Sequence, residues 1–236
     1  MGKITMTVRA DSHPEYGNIA DFRLMLNGGY CTVNWGDGST TTHHAEGDEQ
    51  HIRHTYPQEC LETEQTFGIT ISSDEDNIIG ISIGNQFAYM NVKDIDISKC
   101  QSLRYFASLS ASTEHFDLRT NPEITKVNLQ GDVSGIANLS NSLELKELSI
   151  NFCFACSDSE QLFELDLSKC SKLEKLKCTA IIEPINVKLP KYFPLKVFVY
   201  DDSVDFCISK RKFKKIVNIV EQNNGRIIKS KRGKCK

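Results

Sequence analysis

Four histidines lie near three carboxylates in the N-terminal part of the chain, and these residue types are ligands for zinc or a harder metal ion. They are His43, His44, His51, His54, Asp37, Glu46 and Asp48. His51 and His54 are three residues apart on a predicted strand, so their side chains should point to opposite faces. We therefore predict no metal site and interpret His54 as a partner of the turn at Asp37. A metal-dependent enzyme using the His43–His54 stretch stays open as an alternative.

Other patterns that could support catalysis are incomplete. Cys153-x-x-Cys156 lacks the strand-then-helix setting of a thioredoxin-like site and has no second cysteine pair to complete a zinc site. No Ser, His and Asp set lies in a nucleophile turn, and no glycine-rich phosphate loop precedes a helix. The sequence therefore predicts a protein that is not an enzyme, with no catalytic residues and no cofactor.

The composition is that of a globular protein, with 236 residues, 39% hydrophobic, 25% charged and a net charge of −3. No window approaches the roughly 20 apolar residues that cross a bilayer, and the chain as written starts without a signal peptide. Nine cysteines, an odd number, favour a reducing compartment. We predict a cytoplasmic protein as written, or a surface or secreted one if an N-terminal signal has been removed.

The first ninety residues alternate apolar and polar side chains with the period of strands buried on one face. The apolar runs are Ile4/Met6/Val8, Phe22/Leu24/Leu26, Cys31/Val33/Trp35, Ile52/His54/Tyr56, Phe67/Ile69/Ile71 and Ile79/Ile81/Ile83. Six short strands joined by polar turns predict a β-sandwich over residues 1–88.

Two short motifs in this part, Trp35-Gly36-Asp37-Gly38-Ser39 and His54-Thr55-Tyr56, suggest a structural turn. Trp35 can anchor the core, while Gly36 and Gly38 permit the turn and Asp37 can accept backbone N–H bonds. The pair of motifs resembles the polycystic-kidney-disease (PKD) domain. That resemblance implies an immunoglobulin-like sandwich that acts as a spacer or adhesion module without catalysis.

Residues 89–205 contain an internal repeat. Ile95-Asp96-Ile97-Ser98-Lys99-Cys100 recurs as Leu165-Asp166-Leu167-Ser168-Lys169-Cys170, with a weaker copy at Phe116–Asn121 and a period of 21 residues, halved. Such a pattern predicts a short leucine-rich repeat solenoid with a loop inserted at residues 151–161. Cys100, Asn121 and Cys170 are then expected to fill tight pockets at the turns. The whole chain resembles bacterial leucine-rich repeat proteins with an N-terminal PKD-like domain, which are often carried on the cell surface.

Residues between the inward-facing apolar positions should form two outward rows. One row is acidic and includes Asp96, Asp117 and Asp166, and the other is basic and aromatic and includes Lys175, Lys177, Lys196, Phe198 and Tyr200. Aromatic and charged side chains together are typical of interfaces. We predict a protein-binding scaffold with these eight residues as candidate contacts, and a cell-surface adhesion or glycan-binding protein as the alternative.

The last segment, residues 206–236, is expected to close the solenoid with a helix that starts after Ser209 and stops near Gly225. Residues 209–236 hold eleven basic side chains and one acidic side chain. This basic tail could bind an anionic surface or remain solvated. Because no groove-reading motif accompanies it, we do not expect sequence-specific nucleic acid recognition.

Overall fold

The computed structural model describes residues 1–10, 17–45, 49–84, 91–109, 112–115, 117–130, 139–151, 163–180, 185–203 and 208–230. Its strands are β1 (Gly2–Arg9), β2 (Ile19–Leu26), β3 (Tyr30–Asn34), β4 (Thr40–His44), β5 (Gln50–Thr55), β6 (Thr66–Ser73), β7 (Ile78–Ile83), β8 (Asn91–Asp96), β9 (Tyr105–Ser108), β10 (Ser112–His115), β11 (Lys126–Gln130), β12 (Glu147–Asn151), β13 (Phe163–Asp166), β14 (Lys175–Thr179), β15 (Ile185–Lys188), β16 (Val197–Tyr200) and β17 (Arg226–Lys229). A 3-10 turn covers Gln58–Leu61, and the helix α1 covers Lys210–Gln222. The protein is mainly β, as predicted, and no helix in the described ranges is long and apolar enough to cross a membrane.

Two large sheets organise these strands. The first has the order β10-β8-β1-β6-β3-β4, and the second has the order β17-β16-β14-β12-β11-β9-β7-β2-β5. β13 and β15 form a separate parallel pair. The alternation seen in the sequence holds in β1, where every second residue is buried, because one face of the strand contacts the core and the other does not.

Both large sheets run across the predicted boundary between residues 88 and 89. β1 pairs with β8 in the first sheet, and β7 pairs with β9 in the second. The backbone groups on one edge of each N-terminal strand are thus satisfied by later strands. The division into residues 1–88, 89–205 and 206–236 stays a prediction.

The strands from β9 to β16 in the second sheet are parallel and in register. Tyr105 lies opposite Lys126, Lys126 opposite Glu147, Glu147 opposite Lys175, and Lys175 opposite Val197. The first two steps are 21 residues long, as in the sequence repeat. The longer third step contains the segment predicted as an insertion, most of which lies outside the described residues.

Buried polar turns recur at the corners between the two kinds of strand. Cys100, Asn121, Ser142 and Cys170 are each fully buried, and the N–H of each donates to the carbonyl three residues earlier. The side-chain amide of Asn121 also donates to the carbonyls of Ile97, at 3.0 Å, and Cys100, at 2.7 Å. These bonds join one turn to the next. The turn at Ser142 was missed in the sequence, although Leu139 and Leu145 mark its spacing.

Helix α1 packs against the end of the second sheet. Its N-terminus is capped by the Ser209 hydroxyl, which accepts from the Lys212 N–H at 3.4 Å, and Ile216 and Val220 are fully buried. After the helix, the Asn223 amide donates to the carbonyls of Phe193 and Leu195. Gly225 then passes so close to Lys196 that a Cβ there would lie 2.2 Å from the Lys196 carbonyl oxygen. The close approach lets β17 pair with β16.

Candidate functional site

The two N-terminal motifs meet in one aromatic cluster. The Trp35 side chain is fully buried and its ring stacks on His54, with centroids 4.6 Å apart. His54 Nε2 lies 2.7 Å from Asp37 Oδ2, and the Tyr56 hydroxyl donates to the Trp35 carbonyl at 2.9 Å. Tyr56 in turn stacks on Phe67. The contacts are those of a structural turn locked to the core.

Asp37 fixes the turn itself. Its Oδ1 accepts the Ser39 N–H at 2.9 Å and the Ser39 hydroxyl at 2.6 Å, while Gly36 and Gly38 adopt positive φ values of 81° and 92°. Partial burial raises the pKa of Asp37, but the bonds from Ser39 and His54 outweigh it and lower this pKa from 3.8 to about 2. The folded protein therefore favours the ionised carboxylate.

We expect this carboxylate to contribute to stability at neutral pH and to lose its contribution as the pH falls. A folded-state pKa below the unfolded value means that the unfolded chain binds the proton first, so stability should decrease between about pH 4 and pH 2. The loss is expected to be about 1–2 kcal/mol. Urea unfolding at several pH values measures it, and Asp37→Asn should flatten this part of the profile. An unchanged slope in Asp37→Asn would contradict the assignment.

The histidines of the candidate metal stretch lie in separate contacts. His43 Nε2 is 2.9 Å from the Thr41 hydroxyl, His44 contacts the Tyr30 ring, and His51 Nε2 is 2.9 Å from Asp21 Oδ1. The described part of the chain holds no group of three or more His, Cys, Asp or Glu side chains that could bind a metal ion. Glu46, Asp48, Cys153 and Cys156 lie outside it.

The three carboxylates of the predicted acidic row act as turn acceptors. Asp96, Asp117 and Asp166 accept the N–H of the residue two positions later, at 2.8–2.9 Å. Hydrogen bonds from Ser98, Arg119 and Ser168 lower the pKa of the respective carboxyl groups. Part of their hydrogen-bonding capacity is thus used within the chain, which a row drawn from the sequence does not show.

The prediction that Phe198 and Tyr200 point outward beside Lys196 is wrong. Phe198 is fully buried, and Phe198 and Tyr200 stack on each other and contact the Phe213 ring of α1. The cause is the register, because Phe198 pairs with buried Leu176 after a step of 22 residues, whereas the sequence interpretation placed Val197 inward. Lys196 is exposed, and its Nζ lies 3.4 Å from Glu174.

The solvent-facing side of β9, β11, β12 and β14, here called the open face, carries two rows of side chains in register. These are Tyr105, Lys126, Glu147 and Lys175 in one row and Ala107, Asn128, Ser149 and Lys177 in the other. The Lys126 ammonium lies 5.5 Å from the centre of the Tyr105 ring. Glu147, which sequence reasoning missed, lies 3.9 Å from Lys126 and 3.6 Å from Lys175. Its position 21 residues after Lys126 is the signal that could have found it.

One end of the open face continues onto the strands β2 and β5. Asp21 is buried under His51, and one of its oxygens has no partner in the described part of the chain. Arg23 forms an ion pair with Glu49 at 3.1 Å. The pairs join residues about 30 positions apart, so no local sequence signal predicts them.

The sheets and their exposed side therefore define a mainly-β protein with a broad, polar strand surface. In comparisons with known proteins, no protein family, no characterised protein and no solved structure matches this chain.

Proposed function

We propose that the protein is a non-catalytic protein-binding scaffold that uses the open face as its contact surface. The observation that carries the proposal is the in-register alignment of Asn128, Ser149 and Lys177 beside Lys126, Glu147 and Lys175 on adjacent parallel strands. Neighbouring strands hold such side chains roughly 4.8 Å apart. A regular surface of this kind has little conformational entropy to lose on binding another protein.

We further propose that the fold is a PKD-like, immunoglobulin-like sandwich joined to a leucine-rich repeat solenoid with α1 as its terminal cap. The support is the steps of 21 residues between paired strands, the buried turns at Cys100, Asn121 and Cys170, and the contacts among Trp35, Asp37, Gly36, Gly38, His54 and Tyr56. By the same resemblance the protein belongs with bacterial leucine-rich repeat proteins, for which adhesion at the cell surface is the alternative role.

The chemistry of the open face favours a polar, hydrogen-bonding partner surface. Asn128 and Ser149 are half-buried, and both can donate and accept hydrogen bonds. The lysines exceed the carboxylates, because Lys126, Lys175 and Lys177 surround a single Glu147. A partner with hydrogen-bonding groups at its centre and carboxylates at its rim would be complementary.

Affinity capture from cells that produce the protein tests this role. We expect the wild-type chain to retain one dominant protein, and Ser149→Arg to reduce its capture at least about tenfold, because a long charged side chain would project from the centre of the open face. Ser171→Arg, at an exposed turn residue, is the matched control and should retain capture. Equal capture by Ser149→Arg and wild type would show that the open face is not the contact surface.

A further inference from the structure

The end of the molecule formed by α1, β17 and the loop before β16 carries a concentration of positive charge, and we call it the basic end. Its basic residues are Lys191, Lys196, Lys210, Arg211, Lys212, Lys214, Lys215, Arg226 and Lys229. The acidic residues among them or in contact with them are Glu174, Asp202 and Glu221. The local excess of positive charge contrasts with the net charge of −3 of the whole chain.

Helix α1 presents these charges on its solvent side. Ile216 and Val220 face the core, whereas Lys210, Arg211 and Lys214 are exposed. The first turn contains no acidic residue, so cations occupy the helix end where the backbone dipole disfavours them. Residues placed against local stability are often retained for a function.

Several of these cations have no carboxylate partner within the chain. Lys196 pairs with Glu174 and Lys229 pairs with Asp202. Lys210, Arg211, Lys214 and Arg226, in contrast, form no ion pair with any other described residue. Their charge is available to an external anion.

Exposed apolar side chains lie at the same end. Tyr192 is 76% exposed, Ile228 46% and Ile227 37%, and they are three of the six large hydrophobic residues exposed in the described part of the chain. The loop that carries Tyr192 is held beside α1, because Lys215 Nζ donates to the Pro190 carbonyl at 3.1 Å and Asn223 donates to the Phe193 carbonyl. Cationic and apolar contacts thus occupy one end of the molecule.

We propose that the basic end docks on the surface of an anionic lipid bilayer. Anionic headgroups attract Lys and Arg, and the boundary with the acyl chains accepts tyrosine and isoleucine side chains. A nucleic acid backbone would engage the charges but would not bury the aliphatic side chains. Pairing two copies through antiparallel β17 strands would place Arg226 opposite Lys229 of the second copy, and like charges directly opposite each other are destabilising.

Sedimentation of the full chain with lipid vesicles tests the proposal. The vesicles contain phosphatidylcholine with about one-third phosphatidylserine, at about 0.1 M salt. The test variant changes Lys210, Arg211, Lys214 and Arg226 to Gln. Each basic residue near such a surface contributes about fivefold in affinity, so we expect a loss between about 30-fold and 1,000-fold. The control changes the exposed residues Arg53, Lys99, Lys146 and Lys169 to Gln, which alters the net charge equally and should retain binding.

A second variant tests the apolar contact. Tyr192→Ser combined with Ile228→Ser leaves the charge unchanged and should weaken vesicle binding about tenfold, because two partly inserted side chains are lost. No binding of the wild type to anionic vesicles would overturn the proposal. Equal loss in the two charge variants would also overturn it. Unchanged binding in the Tyr192/Ile228 variant, together with equally tight binding to duplex DNA, would identify a general polyanion site instead.

Discussion

Asn121→Ala is expected to lower the free energy of unfolding by about 2–4 kcal/mol. The Asn121 side chain is fully buried, and its amide donates to the carbonyls of Ile97 and Cys100. Alanine would remove both bonds that join this turn to the preceding one and would leave a small cavity. Urea unfolding followed by circular dichroism measures the change.

Asn141→Ala is the matched control for this prediction. Asn141 precedes the buried Ser142 of the next turn, but its side chain is exposed. We expect its free energy of unfolding to stay within about 0.5 kcal/mol of wild type. Similar small effects at both positions would show that the amide bonds of Asn121 contribute little to the stacking of the turns.

Gly36→Ala is expected to lower the free energy of unfolding by about 3–5 kcal/mol. Gly36 has a φ of 81°, which is strained for any L residue with a side chain, and a Cβ there would lie 2.8 Å from both the backbone N and O of Gly68. Both atoms belong to the backbone of β6, so they can move only if the strand moves. The turn that positions Asp37 near His54 would shift with it. Thermal and urea unfolding measure the loss.

Gly38→Ala separates the two contributions to this effect. Gly38 also has a positive φ, of 92°, but a Cβ there would meet no atom within 4 Å. We expect its loss to be about 1–2 kcal/mol, from backbone strain alone. Equal losses for the two variants would mean that the close approach of Gly36 to β6 has no energetic consequence.

The binding surface illustrates how far local pattern extends. The alternation in β11 and β12 correctly predicts that Val127 and Leu148 are buried and that Lys126 points outward. It does not predict the ion pairs of Lys126 and Lys175 with Glu147, because each pair joins residues 21 or 28 positions apart. At β16, one extra residue in the step reverses the facing of every side chain, since side chains alternate with a period of two. Phe198 therefore contacts the helix and not the solvent.

The sequence by itself determines that the protein is mainly β, because alternation with a period of two requires strands with one buried face. It also predicts the spacing of the turns and the helix that begins after Ser209. Only the tertiary structure decides that β1 pairs with β8 and that β7 pairs with β9. It alone shows that Asp96, Asp117 and Asp166 serve as turn acceptors, and that exposed Tyr192 belongs to the same end of the molecule as the basic helix. The physical reason is that strand pairing and side-chain contacts join residues distant in the chain, and local periodicity carries no information about their partners.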